Sequence, residues 1–294
     1  MTVIWGSTFV LVKQALFSAS PLLFNAIRMS LAAVILAVIY RKHLIGLQRP
    51  ALHAGIIVGV FLFLGYAFQT TGLSLTTPSK SGFLTGVSTV MVPLLLIVIW
   101  RAHIRAWRAV GIATAFAGLF LMTVPSGREG IADFANVNLG DVLTIICAFA
   151  FAFQIIFLGR STQRHPFEPL AVLQISVAAV LMVISAPILE HPHIQFSPTV
   201  VSAILITGIF GTALAFTVQA WAQQFTPATH TALIFTLEPV FAWLTSFIYL
   251  KERLGVRAGV GALLIMAGVL ISELLGHVAK PEEAIAEVRE EATS

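Results

Sequence analysis

The chain has 294 residues, of which 58% are hydrophobic and 10% charged, with a formal net charge of +4. Soluble domains carry roughly 25% charged residues, so a water-facing surface over most of this chain is excluded. The excess Lys and Arg fall in a few short loops, which excludes a nucleic-acid footprint, and Cys147 as the single cysteine excludes an intramolecular disulfide or a thiolate metal site.

A membrane span needs about 20 apolar residues. Ten such runs are predicted, at about 2–17, 21–40, 52–73, 79–100, 106–124, 139–159, 167–189, 198–222, 228–250 and 256–276. Prolines punctuate their starts: Pro21, Pro50, Pro78, Pro166, Pro198 and Pro227. The first run gives only ~25 Å of helix against a ~30 Å hydrocarbon core, which leaves the natural start of the chain open. Its sequence lacks the basic leader and cleavage site of a signal peptide. With the N-terminus inside, Arg41, Lys42, Arg49, Arg101, Arg105, Arg108, Arg160, Arg164, Lys280 and Arg289 are cytoplasmic, against Lys80, Arg128, Lys251, Arg253 and Arg257 outside. Ten against five places both termini in the cytoplasm of a multi-pass cell-membrane protein. The acidic tail from Lys280, with Glu282, Glu283, Glu287, Glu290 and Glu291, reads as a solvated end.

The sequence repeats itself. Arg28 to Leu36 aligns with Gln174 to Met182 at an offset of 146, Trp107-Arg108 aligns with Val256-Arg257 at 149, and Pro78 with Pro227 at 149. Each half holds five spans, and an odd number forces the halves to lie antiparallel in the membrane. The expected fold is all-α and integral to the membrane, ten transmembrane helices in two inverted five-helix repeats. The predicted units are 1–125, a connecting loop at 126–138, 139–278, and the tail at 279–294.

Several motifs fall in order along the chain: Trp5-Gly6-Ser7-Thr8-Phe9, Arg28, Phe68-Gln69-Thr70-Thr71-Gly72-Leu73, Phe83-Leu84-Thr85 with Val92-Pro93-Leu94, and Leu237-Glu238-Pro239-Val240 running to Lys251-Glu252-Arg253-Leu254. With these the chain resembles the EamA-type permeases of the drug/metabolite transporter superfamily over nearly its whole length. The resemblance implies a carrier that moves small metabolites, often exporting amino acids, by alternating access. It implies a central cavity lined by spans 1, 3, 4, 6, 8 and 9, with spans 5 and 10 peripheral.

Glu238 is the first candidate for the chemistry. A carboxylate at mid-membrane depth costs ~2.5–3.5 kcal/mol on insertion scales, and Pro239 beside it frees a backbone carbonyl one turn back. It can couple protons or bind a cation, or it can be a permanently protonated acid that holds span 9 at its kink. His230, Ile234 and Glu238 share a helix face, with His230 a substrate contact or an interfacial residue. Lys80 can attract a substrate carboxylate or snorkel to the interface. Lys13 and Arg160 are expected to snorkel, and Arg28 to bond helix-end carbonyls. Trp5, Ser7, Thr8, Tyr66, Gln69, Phe153, Gln154, Gln219 and Trp221 are candidate solute contacts, against the alternative of glue between helices.

Gly55/Gly59, Gly82/Gly86, Gly111/Gly118 and Gly261/Gly268 read as close-packing faces. His191-Pro192-His193 has no third ligand nearby and reads as a polar turn. A membrane-embedded transferase would need clustered acids, yet the longest loop carries only Glu129 and Asp133. No cofactor or metal is expected. The expected partners are a small solute, protons as a candidate co-substrate, the lipid bilayer, and a second copy of the chain as a candidate. Tags on the two termini should report from the same face of the membrane; opposite faces would refute the count of ten spans.

Overall fold

The computed structural model describes residues 1–76, 78–102, 106–124, 136–241, 244 and 255–275. Arg105, Arg128, Glu129, Asp133, Lys251, Glu252, Arg253 and the acidic tail lie outside the described residues. Among those described, all regular structure is helical, and the single β feature is an isolated bridge between Ala19 and Ile194. In chain order the helices are α1 (Thr2–Ala15), α2 (Pro21–Ile39), α3 (Arg49–Leu75), α4 (Pro78–Gly86), α5 (Ser88–Trp100) and α6 (Ala106–Thr123). Then come α7 (Leu139–Thr162), α8 (Phe167–Leu189), α9 (Pro198–Ile206), α10 (Ala215–Ala222), α11 (Ala228–Phe235) and α12 (Val256–Leu270). Among the described residues, six stretches are long and apolar enough to cross a membrane: Pro21–Ile39, Arg49–Leu75, Lys80–Trp100, Leu139–Thr162, Phe167–Leu189 and Pro198–Ala222. Ala106–Met122 and Val256–Leu270 are shorter apolar helices.

Contacts between helix ends fix how these elements alternate. At one end of the bundle the Lys13 ammonium at the close of α1 donates to the carbonyls of Leu73 and Thr76 at 2.6 and 3.1 Å, capping the C-terminus of α3. There too the Glu190 carboxylate after α8 accepts the amides of Leu22 and Leu23 at 3.1 and 2.8 Å, at the positive N-terminus of α2. The loop before α2 pairs with the loop before α9, Ser20 N donating to His193 O at 2.9 Å and Gln195 N to Ser18 O at 2.7 Å. The opposite end holds His43 and Glu168, 3.7 Å apart, with Gln163 donating to the carbonyls of Gln223 and Gln224 at 3.2 and 2.9 Å. α1, α2 and α3 therefore alternate in direction, as do α7, α8 and the continuous α9–α10 stretch. Lys13 is a helix cap, not a snorkelling residue, because the carbonyls of α3 lie within its reach.

The core is built on α3 and α8, with α7 against the former and α2 against the latter. Small residues bring these backbones together. A Cβ added to Gly55 or Gly59 would fall 2.5 or 2.6 Å from the Cβ of Leu173 or Val177. Gly72 and Gly140 face each other across α3 and α7, each so close that a Cβ would meet the other's carbonyl oxygen at 2.8 Å. The second extensive contact joins α6 to α12. Here a Cβ on Gly111 would meet Gly268 O at 2.6 Å and one on Gly118 would meet Gly261 O at 2.5 Å, with reciprocal approaches of 2.5 and 2.6 Å. Gly82 differs from the expectation, since an added Cβ there meets nothing within 4 Å.

Among the described residues, several helices depart from regularity, including α12, which continues as a π-helix over Ile271–Leu275. α4 and α5 are separated by a turn at Val87, and α11 ends at a turn at Thr236, after which residues 237–241 are helical again. Positions 87 and 236 are 149 apart, the offset that also relates Pro78 to Pro227. Pro239 accounts for the second break, because it has no amide to offer the carbonyl of Phe235. The predicted span at 198–222 is wound as a π-helix over Thr207–Leu214, between α9 and α10. Its counterpart α3 is α-helical throughout.

Gly118→Val should lower the thermal unfolding midpoint of the detergent-solubilised protein, since overpacking a tight contact costs roughly 1–3 kcal/mol. Gly82→Ala should leave it unchanged in the same melt.

Candidate functional site

The centre of the bundle holds a chain of aromatic rings contributed by five helical segments. Trp5 on α1 packs edge-on against Phe235 of α11 at 5.1 Å and tilts against Phe216 of α10 at 5.3 Å. Phe216 meets Tyr66 of α3 at 5.9 Å, and Tyr66 meets Phe151 of α7 at 5.3 Å. The Trp5 indole donates to Gly211 O at 2.7 Å, inside the π-helical segment. That single bond fixes α1 against the irregular helix and orients the ring. Offset and edge-on ring pairs of this kind contribute about 0.5–1.5 kcal/mol each beyond the area they bury.

Glu238 is half-buried and lies within electrostatic reach of Tyr66 and Cys147, so it faces α3 and α7. Its neighbours Leu237 and Val240 pack the other way, against Phe83, Leu119 and Ile265. Phe235, at the end of α11 just before the break at Thr236, carries the contact to Trp5. Gln69 is partly buried and donates to the Thr85 hydroxyl at 3.4 Å, and Thr85 lies 3.9 Å from the Cys147 sulfur. Trp5, Tyr66, Gln69 and Glu238 are thus brought into one region by α1, α3 and the segment after α11.

The other predicted contacts are placed elsewhere. Gln154 and Gln219 are fully buried members of an amide ladder: Gln154 donates to Gln174 at 3.0 Å, Gln219 to Gln154 and to Gln223 at 3.2 Å each, and Gln223 to Ile155 O at 2.9 Å. Their polar atoms tie α7, α8 and α10 together, which is the glue alternative. Thr8 is buried and donates to Trp5 O at 3.0 Å, while Ser7 is exposed and donates to Ile4 O at 2.9 Å. Trp221 is 52% exposed, pairing only with Phe225 at 5.9 Å among the described ring contacts, and so points away from the centre. Phe153 stacks on Phe61 at 5.1 Å in a second aromatic group with Phe157 and Trp100, over which the Arg160 guanidinium lies at 4.3 Å. His230 is partly buried on α11, on the other side of the Thr236 break from Glu238.

Two charges differ from their predicted settings. Lys80 is 7% exposed and forms an ion pair with Asp141 at 2.6 Å, while donating to Asn136 O at 2.8 Å. Its ammonium is matched inside the protein, so it neither snorkels nor presents an uncompensated cation to a solute. Arg28 is buried with its guanidinium 4.3 Å from the Tyr66 ring and 5.7 Å from Phe24, an aromatic setting in place of the helix-end carbonyls expected for it.

Asp141 and Asn25 escaped the sequence reading. Asp141 is 2% exposed and also accepts from the Thr76 hydroxyl at 2.8 Å and from Asn138 N at 2.9 Å, the latter within a capping box that starts α7. The Asn138-x-x-Asp141 spacing was the available signal, but the buried partner Lys80 is 61 residues away. Asn25 is fully buried and links α2 to α3 through Tyr66 O at 3.1 Å and Thr70 Oγ1 at 3.0 Å. His193 binds by its backbone to Ser20, and among the described residues no group of three His, Cys, Asp or Glu is placed to hold a metal.

Long apolar helices that alternate in direction around a half-buried acid define a multi-pass membrane protein. The chain belongs to the EamA-like transporter family, within the drug/metabolite transporter superfamily: the family model matches residues 1–124 and again 138–274. An uncharacterized transporter of Archaeoglobus fulgidus is 32% identical over 93% of this chain and 83% of its own length. The uncharacterized transporter YoaV of Bacillus subtilis is 23% identical over 92% of this chain and 94% of its own. The uncharacterized inner membrane transporter YedA of Escherichia coli is 24% identical over 88% and 79%. A solved crystal structure superposes with a TM-score of 0.74 at 16% identity, covering 93% of this chain and 94% of the other, and so shares its fold.

Removing one partner of a buried ion pair leaves the other charge uncompensated, at a cost of roughly 3–5 kcal/mol. Lys80→Met and Asp141→Leu should each lower the unfolding midpoint sharply, and the double variant should recover most of the loss; additive losses would show that the pair does not act as a unit.

Proposed function

We propose that the protein is a secondary transporter that carries a small metabolite, an amino acid or a related solute, out of the cell by alternating access. The observation that carries this reading is the half-buried Glu238, held among aromatic rings from helices of both halves of the chain. A catalytic centre or a metal would need a cluster of acids or histidines, and Glu238 stands without one among the described residues.

The ten-span inverted repeat belongs to this proposal, with units at 1–125 and 139–278. Three observations support it. The family model matches twice, once in each half. The helix breaks at Val87 and Thr236 are separated by the repeat offset. The close approaches of Gly111 to Gly268 and of Gly118 to Gly261 exchange when each residue is replaced by its repeat mate, as a two-fold axis between α6 and α12 requires. The cell membrane and cytoplasmic termini are proposed from the distribution of basic residues, and YedA is itself named an inner membrane transporter.

In this reading the bundle is drawn shut at the end where Lys13, Thr76, Lys80 and Asp141 bind one another, and release of those bonds opens it. Glu238 exchanges a proton against the solute on a single carboxylate. Proteoliposomes preloaded with candidate solutes should show saturable uptake that is accelerated by solute on the far side, the signature of a carrier; uptake insensitive to far-side solute would refute alternating access. Glu238→Gln should abolish accumulation driven by a pH gradient and keep counterflow at raised solute concentration. Gradient-driven accumulation surviving in that variant would remove the coupling role.

A further inference from the structure

Among the described residues Arg28 is a buried cation with no acid paired to it. It lies about two turns into α2, ~10 Å along the helix, and is 5% exposed, so its guanidinium does not reach an interface. Tyr66 offers it a ring face at 4.3 Å and a hydroxyl, and Phe24 a second ring at 5.7 Å. Its Nε has no hydrogen-bond partner. The acids at helix ends are taken: Asp141 by Lys80, Glu168 beside His43, and Glu190 by the amides of Leu22 and Leu23. The second half of the chain fills the matching positions differently. Offsets of 149, 146 and 150 carry Trp5, Arg28 and Gln69 onto Gln154, Gln174 and Gln219. Those three amides bond to one another, Gln154 to Gln174 at 3.0 Å and Gln219 to Gln154 at 3.2 Å. In the first half Trp5 donates to Gly211 O and Gln69 to Thr85, and the guanidinium is joined to neither.

Ring faces attract a guanidinium, yet they leave its in-plane N–H donors unsatisfied. Ionised side chains inside membrane spans pair with a counter-charge or mark the path of a solute. The Nε–H and the adjacent Nη–H form a fork that matches a carboxylate through two parallel hydrogen bonds. From Tyr66 the rings continue through Phe216 to Trp5 and Phe235, the last two partly exposed at the centre of the bundle. We propose that Arg28 binds the carboxylate of the transported solute, whose apolar or aromatic body lies along the rings of Tyr66, Phe216 and Trp5. The site prefers an organic acid to the matching amide, because an amide leaves the buried charge uncompensated. An inorganic anion satisfies the same fork but gains nothing from the rings. The inference deepens the carrier reading and depends on it for the transport step, though not for binding.

The test uses the full chain purified in detergent and two matched pairs of probes, 3-phenylpropionate with 3-phenylpropionamide and phenylalanine with phenylalaninamide, together with inorganic phosphate. Titration calorimetry should show each acid binding about tenfold or more tightly than its amide, with phosphate weaker than either acid. Arg28→Gln should weaken 3-phenylpropionate by about tenfold and leave 3-phenylpropionamide unchanged. Arg28→Lys keeps the charge without the fork and should lose most of the preference; it carries the comparison where Arg28→Gln fails to fold. Acid and amide binding equally, no binding of 3-phenylpropionate, or a preference undiminished in either variant would each overturn the proposal. Phosphate binding as tightly as 3-phenylpropionate would reduce the site to one for an adventitious ion only. Flux in proteoliposomes separates the two readings. 3-Phenylpropionate bound but not moved refutes the carrier and leaves the site standing, whereas phenylalanine and its amide moved equally well leave the carrier and remove the site.

Discussion

A lipid interior offers no hydrogen bonds, so each polar group carried into it must find its partner within the protein. Much of the described structure can be traced to that constraint. Lys80 and Asp141 meet at 2.6 Å because neither ion is tolerable alone at a buried helix end. Gln154, Gln174, Gln219 and Gln223 bond to one another through their amides. Lys13 caps α3, Glu190 caps α2, and Asn25 ties α2 to α3. Most of these bonds join different helices, so satisfying the polar groups also sets which helices are neighbours.

Glu238 departs from this pattern. The residue is half-buried, and Tyr66 and Cys147 lie within electrostatic reach of its carboxyl group. Asp141, Glu168 and Glu190 meet their partners at helix ends, whereas Glu238 lies within reach of Tyr66 and Cys147 inside the bundle. The π-helical stretch at Thr207–Leu214 serves the same region, since its Gly211 carbonyl holds the Trp5 indole. π-Turns recur at functional sites because the extra residue shifts the register of the carbonyls. Here the irregularity occurs in the second half of the chain while α3 stays regular, so the two halves differ in this region.

Several readings made from residue types alone changed once positions were known, and the changes share a cause. Gln154, Gln219 and Lys80 were chosen because polar groups in apolar runs need a reason. The reason proved to be another part of the chain. Gln154 finds Gln174 and Gln219; Lys80 finds Asp141, whose capping spacing with Asn138 was visible but whose depth was not. Trp221 was chosen for its amphipathic ring and turns outward. Linear sequence says that a polar side chain needs a partner without naming it, and on a helix apolar on every side it does not say which side is inside.

What the sequence determined by itself was the class of molecule and its local grammar. Apolar runs of span length, prolines at their starts, glycines along α6 and α12, and the oddity of Glu238-Pro239 all follow from the cost of exposing backbone and charge to lipid, which depends on composition and spacing. Only the tertiary structure decided the pairings: which amide met which, which cation was neutralised, and which acid remained. Those outcomes depend on distances between residues as remote as Trp5 and Gly211 or Lys13 and Leu73, and no local preference encodes them. They are set when the packed helices bring particular polar groups within reach of one another.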